Sequence, residues 1–299
     1  MTYLITGATG FIGSAYTQKL LSQNIPVIAL VRNKDRARNI LGNQVRLITH
    51  LDEVANHENI QSILNLAGAP IAASPWTKSR REELVASRLE TTEGLISLIE
   101  RLDNKPSLMI SASAVGYYGR GGDIWLTEDS PPQDIFMSTL CQGWEAAASR
   151  AADFGVRLVI PRISVVLGRA GGALPQLALP IKMGLGARFG RGGHYFPWIH
   201  LSDLLSFFDY AADHPSVSGA YNIVTHDTHT QDSFNKLLAK KLGRPYFMVV
   251  PKFLLKTLLR EMSDLFIEGQ RLKADKLYNT GFQPKFETLS TALDDLYNR

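Results

Sequence analysis

Three glycines, Gly7, Gly10 and Gly13, stand directly after the apolar run Tyr3-Leu4-Ile5-Thr6 and directly before a helical pattern from about Phe11 to Gln23. Placed between a strand and a helix, that spacing makes a turn able to hold a phosphate. Gly7 lets the chain turn tightly, Gly10 removes a side chain where a pyrophosphate approaches the backbone, and Gly13 lets the helix lie close on the sheet. The backbone from Thr9 through Gly10, Phe11, Ile12 and Gly13 then turns its N–H groups, and the positive end of the helix dipole, toward the anion. A second group of reactive atoms follows a later apolar run. Ile110-Ser111-Ala112-Ser113 ends in two hydroxyls, and Tyr117 and Tyr118 come shortly after. A phenol of ordinary pKa, near 10, is a weak base at neutral pH but a serviceable acid.

Strands and helices must bring these groups to one edge. Near-continuous apolar runs at Tyr3–Thr6, Pro26–Val31, Val45–Ile48, Ile63–Ala67, Leu108–Ala112, Val156–Ile160 and Tyr221–Val224 predict strands covered on both faces. Helical patterns lie between them, the longest from Pro75 to about Leu102, with Ser74 as N-cap and Pro75 in the first helical position. The alternation predicts an α/β fold, a Rossmann-like doubly wound parallel sheet, with ligands in the crevice outside the carboxyl ends of the strands. After Arg162 the chain becomes glycine-rich, and beyond Thr230 it is mostly helical, with amphipathic stretches at 231–242, 251–262 and 287–297. This predicts a sheet domain of residues 1–167 plus 201–226. A smaller, mostly helical C-terminal lobe takes 168–200 plus 227–299.

The end of the second strand selects the dinucleotide. It reads Val31-Arg32-Asn33-Lys34, with no Asp or Glu before Asp35. An acid there would bond a ribose 2′-hydroxyl, whereas a guanidinium matches a 2′-phosphate in a planar, bidentate way. The cofactor predicted is therefore NADP(H). The fourth strand ends in Leu66-Ala67-Gly68, small enough to pass beneath an adenosine ribose.

At 299 residues, 45% apolar and 20% charged, the chain has the composition of a soluble globular protein. A formal charge of +4 without basic–aromatic alternation argues against nucleic acid and against a basic face. The single cysteine, Cys141, excludes an internal disulfide, and the histidines show no metal-ligand spacing. No apolar stretch reaches the length of a membrane span, and the first strand begins too early for a signal peptide. A cytoplasmic location is expected.

These residues resemble the extended short-chain dehydrogenase/reductase superfamily, and more narrowly an atypical epimerase-like group within it. The resemblance rests on Thr6-Gly7-xx-Gly10-xx-Gly13, Asn65-Leu66-Ala67-Gly68, Ser87-Arg88-Leu-Glu-Thr-Thr92 and Ser111-Ala-Ser-Ala-Val-Gly-Tyr-Tyr-Gly119. Trp144-Glu145, Pro161-Arg162, Val165-Val166-Leu167-Gly168, Pro197-Trp-Ile-His200, Glu268-Gly-Gln-Arg271 and Thr280-Gly-Phe282 extend it along the whole chain. It implies that Ser113 holds the substrate oxygen, and that Arg88, with Glu83 nearby, reaches the cofactor's phosphates or ribose. Arg162 and the backbone at Val166 would meet the nicotinamide amide.

Members with the usual chemistry carry Tyr-x-x-x-Lys, whose cation lowers the phenol's pKa. Here none of the ten tyrosines has a lysine four residues on. Aligning Glu145 with the family's following Glu puts Met137 and Cys141 in those two places. Proton transfer is left to Tyr117, Tyr118 or water, with Glu128 or Asp129 as loop acids and Cys141 as a thiol. The loop Gly184–Trp198, with Lys182, Arg188, Arg191, His194 and Trp198, is the expected substrate wall and suits an anionic small molecule. Two functions remain open: an NADPH-dependent oxidoreductase or epimerase-like enzyme on a small carbonyl, hydroxyl or nucleotide-sugar substrate, or a non-catalytic NADPH-binding sensor.

Overall fold

A computed structural model of the chain describes residues 2–298. Eight strands form one parallel sheet: β1 (Tyr3–Thr6), β2 (Val27–Leu30), β3 (Arg46–Ile48), β4 (Ser62–Asn65), β5 (Leu108–Ser111), β6 (Ser113–Ala114), β7 (Arg157–Ile163) and β8 (Gly219–Ile223). Their order is β8-β7-β5-β4-β1-β2-β3, with the two-residue β6 continuing beyond β5 and pairing with β7. Chain direction across the sheet reverses between β1 and β4, where Thr6 lies opposite Asn65. In a doubly wound sheet that reversal opens a crevice at the carboxyl edge.

Helices cover both faces, which is why the strands read as unbroken apolar runs. On one side α1 (Phe11–Ser22) and α6 (Leu201–Asp213) bury Tyr16, Leu20 and Phe208 against β1 and β2, while Phe207 packs on Tyr221 of β8. On the other, α3 (Lys78–Arg101) buries Leu95, Ile96, Leu98 and Ile99 against Leu4, Ile63 and Met109. Each such side chain contributes about 1.5–3 kcal/mol of burial. The remaining helices are α2 (Lys34–Leu41), α4 (Phe136–Ser149), α5 (Leu174–Lys182), α7 (Gln231–Lys241), α8 (Lys252–Leu259), α9 (Asp264–Ile267), α10 (Asp275–Asn279) and α11 (Leu289–Tyr297).

The start of α3 differs from expectation. Ser74 and Pro75 stay outside, and the N-cap is Thr77, whose hydroxyl accepts from the Arg80 N–H at 3.2 Å. That bond satisfies an orphan donor of the first turn, whereas a proline in the first position only avoids leaving one unmet. Trp76 is drawn into a small apolar cluster with Leu84 and Leu140.

Beyond the sheet, α5, α7 and α11 enclose a separate core around Trp198, Phe234 and Leu289. Three short parallel pairs tie distant segments together: Val165–Leu167 with Trp198–His200, Trp125–Leu126 with Arg271–Leu272, and Gly186–Phe189 with Tyr246–Val250. Asp203 in α6 accepts from the N–H groups of Lys285 and Phe286, at 2.8 and 3.1 Å, and so fastens the C-terminal segment.

Candidate functional site

The glycine turn has the geometry its spacing predicts. Gly7 has φ +68°, and a Cβ there would sit 2.5 Å from the Leu66 carbonyl oxygen. A Cβ on Gly13 would overlap the Gly7 carbonyl, so α1 can lie this close only through glycine. Gly10, by contrast, is exposed, has an ordinary φ of −79°, and would bring a Cβ only to 3.1 Å from the Gly7 oxygen. Its missing side chain serves the outside of the turn. Gly10 is also the N-cap of α1, where no side chain accepts from the first N–H groups and no acid lies in the first turn. In α2 and α3 side-chain oxygens of Asn33 and Thr77 fill that role. The α1 end is thus left as an open anion seat, and the cradle fits a dinucleotide pyrophosphate. Phe11 turns its ring away, into the space left by Gly168, Gly171 and Gly172, while Ile12 packs on the core and Thr9 is exposed.

Around this seat, Val31 is buried and Arg32 is exposed, in no ion pair among the described residues. Beneath it runs a buried chain of hydrogen bonds. The Thr6 hydroxyl donates to Asn65 Oδ1 at 2.7 Å, and Asn65 Nδ2 donates to the Thr92 and Ser111 hydroxyls at 2.8 and 3.1 Å. The Ala67 N–H donates to the Thr6 hydroxyl at 3.2 Å, which fixes the Leu66-Ala67-Gly68 turn.

Past the ends of β5 and β7 the polar groups engage one another. Ser113 and Arg162 are register partners on β6 and β7. Glu145 of α4 reaches both: the Ser113 hydroxyl donates to Oε1 at 2.6 Å, and the Arg162 guanidinium grips the carboxylate through Nε and Nη2 at 2.9 and 2.8 Å. Arg162 Nη1 donates to the Tyr118 hydroxyl and to the Glu128 carbonyl, both at 2.9 Å. The Tyr118 hydroxyl donates to Asn222 Oδ1 at 2.6 Å. Arg162 also lies over the Tyr117 ring, 3.4 Å from its centroid.

Next to this node, outside the strand ends, is a cavity of about 200 Å³. Its walls are largely apolar: Ala114, Val115, Met137, Val165, Phe196 and Pro197 among others. Its polar rim holds Arg120 and Asp264, bonded to each other at 2.7 Å, with Glu268.

Comparison with known proteins matches these features. The profile of the NAD dependent epimerase/dehydratase family matches residues 3–224. The chain belongs to that family. Residues 250–296 match a domain of unknown function, DUF1731. Epimerase family protein YfhF of Bacillus subtilis is 34% identical over 99% of this chain and 98% of its own. The chloroplastic SDR39U1 homolog of Arabidopsis thaliana is 32% identical over 98% of this chain and 86% of its own. The crystal structure of human epimerase family protein SDR39U1 with NADPH superposes at a TM-score of 0.90, with 32% identity and full coverage of both chains.

Within this epimerase-family fold several expected site residues do other work. Tyr118 is fully buried and hydrogen-bonded at its hydroxyl, and burial raises its pKa to about 12. It is a core strut, not a proton donor at the cavity. Arg162 is committed to Glu145 rather than held free for a nicotinamide amide. Arg88 is half-buried beneath the Gly68 turn, donating to the Leu84 and Ala69 carbonyls at 2.9 and 3.2 Å. Through those two bonds it props the turn. A Gly68 Cβ would lie 2.9 Å from its guanidinium carbon. Glu83 points out to Arg80. Ser111 is buried in the Asn65 network. Val166 lies in the Val165–Leu167 strand with its side chain in the core, which leaves open the expectation placed on its backbone.

Of the expected substrate wall, only Tyr195, Phe196 and Pro197 line the cavity; Lys182, Arg188, Arg191 and His194 do not, and Trp198 is buried, donating to the Asp227 carbonyl at 3.1 Å. Glu128 pins its loop by accepting from the Asn222 N–H at 2.8 Å. Burial pushes the Cys141 thiol up to about 11, which makes it a small apolar residue rather than an acid–base. The residue that sequence reasoning used only as a register mark, Glu145, is the centre of the node. Among the described residues no His, Cys, Asp and Glu cluster could hold a metal ion, and no helix is long and apolar enough to cross a membrane.

Proposed function

We propose that this chain binds NADP(H) in the Gly7–Gly13 cradle and interconverts a small hydroxyl and carbonyl compound in the adjoining apolar cavity. The observation that carries the reading is the open, uncapped anion seat beside an unpaired Arg32 at the end of the neighbouring strand. Human SDR39U1, crystallised with NADPH, supports the same cofactor. Arg32 would take the 2′-phosphate, and the N–H groups from Thr9 to Gly13 the pyrophosphate. Bound NADP(H) supplies or accepts a hydride. At about 200 Å³ the cavity is small beside the roughly 300–1,000 Å³ of pockets for drug-sized ligands, which favours a small molecule over a nucleotide sugar.

Without a Tyr–Lys pair, the Ser113–Glu145 couple is the best proton acceptor at the strand ends. Arg162 grips the Glu145 carboxylate, which accepts the Ser113 hydroxyl hydrogen, so a proton taken from a substrate hydroxyl by Oγ would be passed on along that hydrogen bond to Glu145. Tyr117, half-buried with its ring under Arg162, is the phenol beside this node that is not buried within it. A second reading, a cofactor-binding sensor without turnover, is supported by the sequence, in which no tyrosine has a lysine four residues on, and by Cys141, whose buried thiol has a raised pKa.

Fluorescence titration with NADPH and NADH tests the cofactor. The expected result is NADPH binding at least about tenfold tighter, with the preference abolished in Arg32→Glu. Equal affinity in the unsubstituted protein overturns it. Turnover is tested with the holoprotein on a panel of small aldehydes and ketones, following NADPH absorbance. NADPH that binds and is never oxidised replaces the enzyme reading with the sensor.

A further inference from the structure

The charges of this chain are sharply segregated. No Asp or Glu occurs from Gly155 to Ser202, nor from Ser233 to Arg260, although both stretches carry many Lys and Arg. The small net charge of +4 conceals this and led to the expectation of no basic face. The same two stretches carry nine of the twelve large apolar side chains exposed among the described residues: Leu179, Met183 and Leu185 in the first, and Phe247, Met248, Val249, Phe253, Leu254 and Leu258 in the second.

Structure puts the two stretches side by side. Gly186–Phe189 pairs with Tyr246–Val250, and the Lys252 side chain at the start of α8 lies against Gly190. The helix α8 is eight residues long and buries none of its side chains, with Phe253 71% and Leu258 64% exposed. So short a helix is marginal in water without a covered face. Around these apolar groups stand Arg188, Arg191, Arg244, Lys256 and Arg260, none of them in an ion pair among the described residues, while Lys182 lies over the Tyr297 ring. Lys252 is the exception, 3.6 Å from Glu268.

We propose that α8 and the adjoining Gly186–Phe189/Tyr246–Val250 ladder form a peripheral docking surface for an anionic lipid bilayer. Charge complementarity selects this occupant. A second copy seated on the patch would set like charges against each other, whereas an anionic headgroup layer pairs every cation while its acyl boundary accepts Phe253 and Leu258. No helix among the described residues is long and apolar enough to cross the bilayer, so α8 would lie in its interface. Each cation brought to such a surface strengthens binding about fivefold. The proposal does not depend on the cofactor or the reaction.

Vesicle flotation with the full chain tests it, using phosphatidylcholine alone and phosphatidylcholine with about 30 mol% phosphatidylglycerol. The expected result is binding to the anionic vesicles at least about tenfold stronger than to the neutral ones, weakened by salt. The pair Phe253→Ser with Leu258→Ser abolishes it, and Lys256→Glu with Arg260→Glu reduces it about tenfold or more. Circular dichroism melts verify folding of each variant, and the charge-reversal pair, which leaves every apolar contact in place, keeps the test open if the serine pair does not fold. No binding to anionic vesicles, or equal binding to both, overturns the proposal. So does light scattering that shows a dimer in dilute solution which Phe253→Ser with Leu258→Ser splits, since the patch is then covered by a second copy.

Discussion

The two halves of the crevice are built on opposite principles. On the β1 side the protein removes side chains. Gly7, Gly10 and Gly13 leave bare backbone, α1 goes uncapped, and Arg32 stands free. On the β7 side it fills the space with side chains that satisfy one another: Ser113, Glu145, Arg162, Tyr118 and Asn222 form one connected set. The first half has unmet hydrogen-bonding capacity and waits for a ligand. The second is already satisfied, so removing one member leaves its partners buried and unpaired. Substitutions in the two halves should therefore separate stability from binding.

The largest effect is expected at Glu145. Its side chain is 12% exposed and that of Arg162 only 5%, so Glu145→Gln leaves a guanidinium buried without its counter-charge. The expected cost is about 3–5 kcal/mol, read from urea unfolding of the apoprotein. A loss under 1 kcal/mol would mean that the node is not a unit. Gly10→Ala sharpens the contrast from the other side. At φ −79° the backbone accepts alanine, and the new Cβ meets only the Gly7 oxygen at 3.1 Å, so the melting temperature should change little. NADPH affinity should fall about tenfold or more, because the methyl stands where the pyrophosphate must approach. A variant that melts early but binds normally would contradict the assignment.

The same contrast explains what could be read from the sequence. The cradle was legible because its logic is local: glycines at fixed spacing between one strand and one helix, as Gly7 and Gly13 show. The strands of the sheet follow likewise from apolar runs and their alternation. The node was not legible, since Ser113, Glu145 and Arg162 are brought together by the β6–β7 register and the face α4 presents to the sheet. A usable signal did exist. Ser113 and Arg162 both close strands that neighbour each other in a doubly wound sheet, so an acid on the intervening helix, such as Glu145, is placed to reach both. The Arg88 contacts were not legible either, because a lone arginine on a helix carries no sign of whether two backbone carbonyls lie within its reach. The short pair of Gly186–Phe189 with Tyr246–Val250 joins segments too far apart in sequence for any local pattern to reveal.

Titration should also act on the two halves unequally. No titratable side chain lies within the glycine turn, whereas Cys141 is buried beside Ser113 and Glu145. Its thiol, near 9 in the unfolded chain, is pushed up to about 11 by burial. Between those values the unfolded chain releases a proton that the folded chain keeps, so stability falls as pH rises through the window. Cys141→Ala should lose stability at neutral pH from the cavity it leaves, yet show a flatter decline from about pH 9 to 11, by on the order of 2 kcal/mol. Parallel pH series of urea unfolding check this, and identical slopes would exclude the thiol.

The smallest effect is expected on the acid side, at the far wall of the cavity. His194 precedes Tyr195, and its carbonyl accepts from the Gln231 N–H at 2.9 Å, so it holds the loop that lines the cavity to α7. Burial, with nearby Lys252, lowers its pKa from 6.5 to about 4. In that interval the unfolded chain takes up a proton that the folded chain refuses, so the stability contributed by the neutral ring is lost as pH falls. His194→Asn removes the titration while keeping a polar group of similar reach. The variant should lose less stability than the unsubstituted protein between pH 6.5 and about 4, by on the order of 1 kcal/mol after the partial exposure of the ring is allowed for. Affinity for NADP⁺, measured in the same series, should weaken separately from unfolding as the 2′-phosphate takes up its second proton at about pH 6, since that charge is the one Arg32 is proposed to meet.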